Sequence, residues 1–334
     1  MGSSLTFPAT GELGWAGFRE RWSDRSHPYG AGSLPFDGRP STAALARFKG
    51  GMAVTSQRIW LSGLPEAFRG FRILQLSDIH HSLFVPLDQV AAVVALSNLL
   101  KPDLIALTGD FVTYSRASIE PVAEILGGLR APAGVFAVLG NHDFRVGARV
   151  IERALRRHRI DVLRNRHVQL RESGDMLHIA GVDDYGYGAD LGRALRGVPS
   201  DAPTILLAHN PRLLQSAACY GVGLMMAGHT HGGQVNLPLL GSLYGRTPEQ
   251  LRFKIGWDRL GATQIYVSRG IGTIVLPWRL RCPAEIPHFA LETHQPDSTA
   301  PADTPTWRVA AGSDGSQAPQ GTQVKVPRLG SFTD

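Results

Sequence analysis

Five apolar runs in this chain end on side chains able to hold a hard or borderline cation. RILQLS (72–77) leads into Asp78 and His80, LIALTG (104–109) into Asp110, and VFAVLG (135–140) into Asn141, His142 and Asp143; TILLA (204–208) leads into His209, and GLMMAG (223–228) into His229 and His231. Imidazole nitrogen with carboxylate and amide oxygen, and no thiolate, suits Mn, Fe, Zn, Co or Mg rather than a closed structural zinc site. Burying that many ionisable groups without a counter-charge costs several kcal/mol each, a cost that a pair of cations removes. Two divalent ions roughly 3.5–4 Å apart can hold a bridging hydroxide and clamp phosphoryl oxygens during in-line displacement. The chemistry implied is hydrolysis at phosphorus.

The elements that must position these groups alternate between strand-length apolar runs and helical patterns. Strands are expected at 72–77, 104–108, 135–139, 177–182, 204–208, 224–227, 264–268 and 287–292. The pattern predicts helices over Asp88 to Leu100, with Val90, Val93, Val94 and Leu100 on one face, and over Val146 to Arg159, with Val146, Val150, Ala154 and Leu155 inward. This is an α/β alternation, and in open α/β sheets ligands collect at the carboxyl ends of strands, so the candidate ligands are delivered to one rim.

The 334 residues carry a formal charge of +6, drawn from arginine rather than lysine. Between residues 145 and 172, nine arginines stand against Glu152, Asp161 and Glu172, which equals the whole excess; the pattern reads first as a solvated helix face and second as a field favouring anions. Cys219 and Cys282 are far apart with no CxxC pair, so neither a disulfide framework nor a thiolate metal site is indicated. With no apolar leader and no run of about 18 apolar residues, the chain reads as cytoplasmic. Residues 1–52, rich in Gly, Pro, Ser and Arg, are expected to be a partly ordered extension whose Trp15, Phe18 and Trp22 share a face. Residues 53–294 are expected to form the catalytic domain and 295–334 a disordered tail.

The segments Asp78-Ile79-His80, Gly109-Asp110, Gly140-Asn141-His142-Asp143, His209 and Gly228-His229-Thr230-His231, in this order, resemble the calcineurin-like metallophosphoesterase family. Further similarity at 207–211, 228–234 and 266–272 points to its YaeI/YkuE-like phosphodiesterase subgroup. The resemblance implies a four-layer αββα sandwich, two mixed β-sheets flanked by helices. Residue by residue, it puts Asp78, His80 and His231 on a first metal and Asn141, His209 and His229 on a second. Asp110 would bridge both, and His142 would be the general acid or the positive charge near the leaving oxygen, without binding the metals. Two divalent ions are implied, with Mn favoured. Many members carry an acidic residue three positions after the bridging Asp, where it orients the motif histidine; here that position is Thr113, and Asp143 or a water is expected to substitute.

The subgroup includes enzymes acting on a UDP-linked diacylated glucosamine as well as phosphodiesterases, so the resemblance implies a phosphate-containing small molecule or a lipid-linked substrate. In the second case the aromatic stripe and the basic segment would share a purpose at an anionic membrane surface. Arg269, directly after an apolar run, is expected either to reach a substrate phosphate or to form a buried ion pair. The stretch 241–260, with Tyr244, Phe253 and Trp257 beside Arg246, Arg252 and Lys254, is expected to wall a cleft or to pack on the sandwich. A nuclease or cyclic-nucleotide phosphodiesterase is the rival enzyme, disfavoured because the aromatics do not interleave with the basic cluster. A non-catalytic scaffold is the rival outside enzymes, disfavoured because all seven ligand positions are filled.

Overall fold

The structure, a computed structural model, describes residues 51–237 and 255–293, residue 48, and the backbone of residues 12–14, 241–242 and 306–309. The expected Trp15, Phe18 and Trp22 stripe lies outside the described residues, as do Tyr244, Arg246, Arg252, Phe253, Lys254 and most of the expected tail. Two short segments at the chain ends are described: β1 (Glu12–Gly14) and, within 295–334, the strand Thr306–Val309.

The first sheet is built from β2 (Met52–Trp60), β3 (Arg72–Leu76), β4 (Leu104–Leu107), β5 (Val135–Ala137) and the two-residue β6 (Asp161–Val162). The second holds β7 (Arg166–Glu172), β8 (Asp175–Gly181), β9 (Thr204–Leu207) and β10 (Leu224–Ala227). A two-stranded ribbon of β11 (Asn236–Leu237) and β12 (Gly241–Ser242) follows, then β13 (Gly256–Leu260) and β14 (Thr263–Val267) in the second sheet. The chain returns through β15 (Ala284–Glu292) to the first sheet, whose edge is β16 (Thr306–Val309). The strand orders are β16-β2-β15-β3-β4-β5-β6 and β1-β7-β8-β9-β10-β14-β13.

Both sheets are mixed. In the first, β3, β4 and β5 run parallel while β15 lies antiparallel to β3; in the second, β8, β9, β10 and β14 run parallel with antiparallel β7 and β13 at the flanks. Parallel neighbours make the carboxyl ends of β3, β4 and β5, and separately of β9 and β10, open on a common rim.

Strand alternation sorts the core into three layers of apolar contact. Ile73, Leu104, Ala106 and Phe136 from the first sheet meet Ile179, Ile205, Leu207, Leu224 and Met226 from the second. The intervening residues Leu74, Leu76, Ile105 and Leu107 face outward, onto α1 (Leu87–Leu99), α2 (Ile119–Leu126) and α3 (Asn141–Arg157). On the other side Leu206, Met225, Ala227 and Val267 face α4 (Leu191–Ala194) and α5 (Leu214–Cys219). The result is helix, sheet, sheet, helix, as the resemblance implied.

All eight expected strands form. β2, β7 and β13 were not among them: in β13 the exposed positions hold Trp257 and Arg259 while Gly256, Asp258 and Leu260 are partly buried, and in β7 only Val168 and Leu170 are buried, too short an apolar alternation to mark a strand. The helix expected from Val146 starts instead at Asn141. Its first turn turns Asn141, His142 and Asp143 toward the rim rather than the core, so it carries no apolar stripe, and Gly147 at φ 146° separates it from the amphipathic remainder.

Candidate metal centre and active site

The strand ends deliver the seven candidate ligands to one pocket between the sheets. Asp78, His80, Asp110, His209 and His231 are buried, whereas Asn141 and His229 are partly exposed, so the pocket opens on the side of the latter two. Five of these residues, Asp78, His80, Asp110, His229 and His231, hold left-handed backbone at φ between 51° and 75°. Non-glycine residues adopt that conformation rarely and at a cost of order 1–3 kcal/mol each, and its concentration here marks a site where surrounding structure overrides local preference. Close approach also demands glycine. A Cβ at Gly140 would stand 2.2 Å from Asp110 Oδ1, and one at Gly228 would stand 2.4 Å from Asp78 Oδ2.

Donor atoms face one another across the pocket at a narrow range of separations. His80 Nε2 lies 3.1 Å from His231 Nε2, and His231 Nε2 lies 3.4 Å from Asp78 Oδ1. His229 Nδ1 lies 3.0 Å from Asn141 Oδ1 and 3.3 Å from His209 Nε2. A single oxygen, Asp110 Oδ2, stands 3.4 Å from His80 Nε2 and 3.2 Å from His209 Nε2, between the two sets. Two atoms about 2.1 Å from a shared cation, at tetrahedral to octahedral angles, stand roughly 3.0–3.4 Å apart. The donor set therefore fits cations. Asp78, His80 and His231 form one compact group and Asp78, Asp110 and His209 another, so Asp78 borders both.

Burial strips hydration from the imidazoles and disfavours their charged forms, taking His80 and His229 down to about 3 and His231 well below its ordinary value. These rings are neutral at pH 7, the form that offers a lone pair to a metal. His209 behaves oppositely: burial opposes its charge, but the Asp110 carboxylate, with Asp78 and Asp184, outweighs burial and raises it well above the usual imidazole value. Asp110 is correspondingly held below the carboxylate range, His209 overcoming the effect of burial. Burial raises Asp78 to about 6 despite the opposing charge of His209.

The second layer is mostly backbone. His209 Nδ1 lies 2.8 Å from the carbonyl of Thr108, the usual way of setting the tautomer of a ligating histidine. Ser77 Oγ donates to Asp78 Oδ2 at 2.6 Å, and the His229 N–H donates to the same carboxylate at 3.1 Å. Asp143, fully buried, accepts the N–H groups of Gly140, Asp110 and Phe111 at 2.8–2.9 Å. Burial and the Asp110 charge raise Asp143 to about 8, against the pull of those donors.

Asp143 therefore does not orient His142, contrary to one expectation. His142 Nδ1 lies 3.0 Å from the carbonyl oxygen of Thr113, so the backbone at that position does what an acidic side chain would have done. The Thr113 hydroxyl serves His80 instead, 3.3 Å from its Nδ1 and 3.2 Å from its carbonyl. The His142 ring packs edge-on against that of His80, with centroids 4.9 Å apart.

Arg269 follows β14 at the rim. Its backbone N–H donates to Glu285 Oε2 at 3.1 Å and its Nε stands 3.6 Å from the same oxygen. Glu285 also accepts from Tyr266 OH at 2.6 Å and Thr55 Oγ1 at 3.1 Å. The ion pair expected as an alternative is thus present, and only the terminal guanidinium nitrogens are left for a phosphate. Trp257 packs on Tyr266 and Phe289, the conservative expectation for its segment. Four of the nine arginines in the basic stretch form ion pairs with carboxylates: Arg156 with Glu152, Arg157 with Glu120, Arg164 with Asp183 and Glu152, and Arg166 with Asp161.

Two mixed sheets packed face to face between helices, with Asp, Asn and His gathered at the strand ends of both, define a metallophosphoesterase. The family model for calcineurin-like phosphoesterases matches residues 71–233. The chain is 34% identical to the uncharacterized metallophosphoesterase YkuE of Bacillus subtilis over 250 residues, covering 72% of this chain and 85% of the relative. It is 33% identical to the phosphodiesterase YaeI of Escherichia coli over 220 residues, covering 65% and 80%. A transmembrane protein with metallophosphoesterase domain from Bos taurus is 33% identical over 72% of this chain and 57% of its own length. The chain belongs to the calcineurin-like phosphoesterase family. It is a hydrolase of phosphoester bonds, and divalent metal ions serve the reaction in this family. Among the described residues no helix is long and apolar enough to cross a membrane.

Proposed function

We propose that the chain hydrolyses a phosphodiester or pyrophosphate through two divalent cations, one held by Asp78, His80 and His231 and one by Asn141, His209 and His229, with Asp110 shared. The observation that carries this reading is Asp110 Oδ2, one atom at ligand–ligand distance from histidines of both sets. Manganese is the ion this reading favours among Mn, Fe, Zn, Co and Mg, all of which a sulfur-free nitrogen and oxygen donor set suits. Bound there, the cations supply Lewis-acid polarisation of the phosphoryl oxygens and a nucleophile from water at neutral pH.

The protein's own groups do the rest. His142, whose Nδ1 donates to the Thr113 carbonyl, gives the departing oxygen the Nε2 proton that its imidazolium form carries. Arg269, its Nε tethered to Glu285, meets non-bridging phosphate oxygens with its terminal nitrogens. Partly exposed Asn141 and His229 mark the side from which the substrate enters.

A lipid-linked substrate such as UDP-diacylglucosamine, met at an anionic membrane face, is the finer reading. It is supported by exposed apolar side chains on the loops that follow the ligand motifs. Leu83 (99% exposed) and Phe84 follow His80, and Val275 and Trp278 sit in the loop whose carbonyls Gln234 binds just after His231. The test is a hydrolysis screen with added Mn that compares aryl phosphomonoester, aryl phosphodiester, cyclic nucleotide and UDP-linked lipid, run with vesicle flotation. Preference for the lipid with flotation on anionic vesicles is expected. Preference for the cyclic nucleotide without flotation overturns the lipid reading, and no turnover of any substrate overturns the hydrolytic assignment of this pocket.

A further inference from the structure

Behind the pocket lies a buried guanidinium that nothing above uses. Arg279 is 4% exposed, and its hydrogen bonds go to no carboxylate. Nε and Nη2 donate to the carbonyl of Gly272 at 3.1 and 2.5 Å, Nη1 donates to the carbonyl of His231 at 3.3 Å, and Nη2 stands 3.4 Å from His231 Nδ1. Nη1 also reaches the carbonyl of Cys282 at 3.5 Å.

Removing a guanidinium from water is expensive, and fixing it with neutral acceptors, without a carboxylate, is a weak return for stability. Its partners show what it gains. Gly272, which Arg279 grips by its carbonyl, donates its own N–H to the carbonyl of Asp78 at 2.7 Å, and the Ile271 N–H donates to Ser77 at 2.9 Å. One planar fork therefore joins the segment that carries His231 to the segment that backs Asp78. Asp78 Oδ1 and His231 Nε2 face each other at 3.4 Å, and both residues hold left-handed backbone that local preference does not supply. Gly272 cannot be enlarged to take over the contact, because a Cβ there would stand 2.1 Å from the carbonyl oxygen of Ile79.

We infer that Arg279 is the positioning residue of the first cation site: it sets the separation of Asp78 and His231 and thereby the affinity for one of the two metal equivalents. The inference rests on the dinuclear reading of the pocket. A lysine cannot reproduce it, having one nitrogen where the geometry uses three, whereas the second site, with His209 fixed by Thr108, does not depend on it.

The test is Mn binding to the metal-free full chain by calorimetry and by the electron paramagnetic resonance of the spin-coupled pair, for wild type, Arg279→Lys and Arg279→Gln. Loss of an outer partner of a metal ligand costs roughly 10–100-fold in affinity. The expected result is a loss of that size for one equivalent, the other unchanged, with the coupled-pair spectrum replaced by that of an isolated ion at one equivalent. Thermal melting of the metal-free variants separates this from a role in folding alone. A lowered Tm with two wild-type affinities overturns the inference, as does equal weakening of both equivalents. If the wild type itself binds no Mn pair, the dinuclear reading fails first, and the inference with it.

Discussion

The carboxylate of Asp143 receives the backbone N–H of Asp110 at 2.8 Å, so the residue proposed to be shared between the two cations is held by an acid outside the proposed ligand set. The same carboxylate caps the start of α3 through Gly140 and binds Phe111, which locks the loop after β4 to the helix that carries Asn141 and His142. Asp143→Ala leaves three buried N–H groups unsatisfied at about 1–3 kcal/mol each. A fall in Tm on the order of 10 °C is expected, together with loss of metal. Differential scanning calorimetry and elemental analysis check both, and an unchanged metal content in a folded Asp143→Ala protein contradicts the bracing role.

Ligand and acid substitutions should separate. Asp110→Asn and His229→Ala are expected to abolish hydrolysis of an aryl phosphodiester and to lower bound metal. His142→Ala should keep both metal equivalents while kcat falls by about 10²–10⁴. Steady-state kinetics beside metal analysis distinguish the two classes; full activity in Asp110→Asn contradicts its shared position.

Thr113→Val tests a division of labour within one residue. The hydroxyl contact to His80 Nδ1 is lost, but the carbonyl that orients His142 remains. Affinity for metal should fall by up to roughly tenfold, while kcat at saturating metal changes by less than about threefold. A large kcat loss at full occupancy would mean that the hydroxyl, rather than the carbonyl, supports His142.

Metal affinity should rise with pH. In the metal-free protein His209 is raised well above its ordinary value and Asp78 to about 6, so both retain protons that the free side chains would have lost. A cation must displace the His209 proton at neutral pH, and below about pH 6 the Asp78 proton as well, so binding weakens as pH falls and releases protons as it occurs. Mn calorimetry in buffers of different ionisation enthalpy measures the release directly. An affinity that is flat from about pH 8 to about pH 5 contradicts the proton inventory.

A van der Waals prediction is independent of charge. Gly140→Ala keeps an allowed backbone, with φ −94°, but drives a Cβ into the Asp110 carboxylate. The expected outcome is a folded protein with weakened metal binding, seen as near-native melting and depressed occupancy.

The sequence alone determined that eight apolar runs would be strands and that five of them would present Asp, Asn and His at their ends. Strand periodicity and a short motif after each strand are local properties, so they survive without any knowledge of neighbours. Flank strands such as β7 and the first turn of α3 escaped because their burial depends on what packs against them. What the tertiary structure decided is which atom meets which. The Thr113 carbonyl, rather than Asp143, turns His142, Glu285 takes the Nε of Arg269, and Arg279 ties His231 to the segment behind Asp78. Two of those contacts use backbone carbonyls, and all three join partners well separated in the chain. No residue type announces a carbonyl's direction, so only the folded chain could.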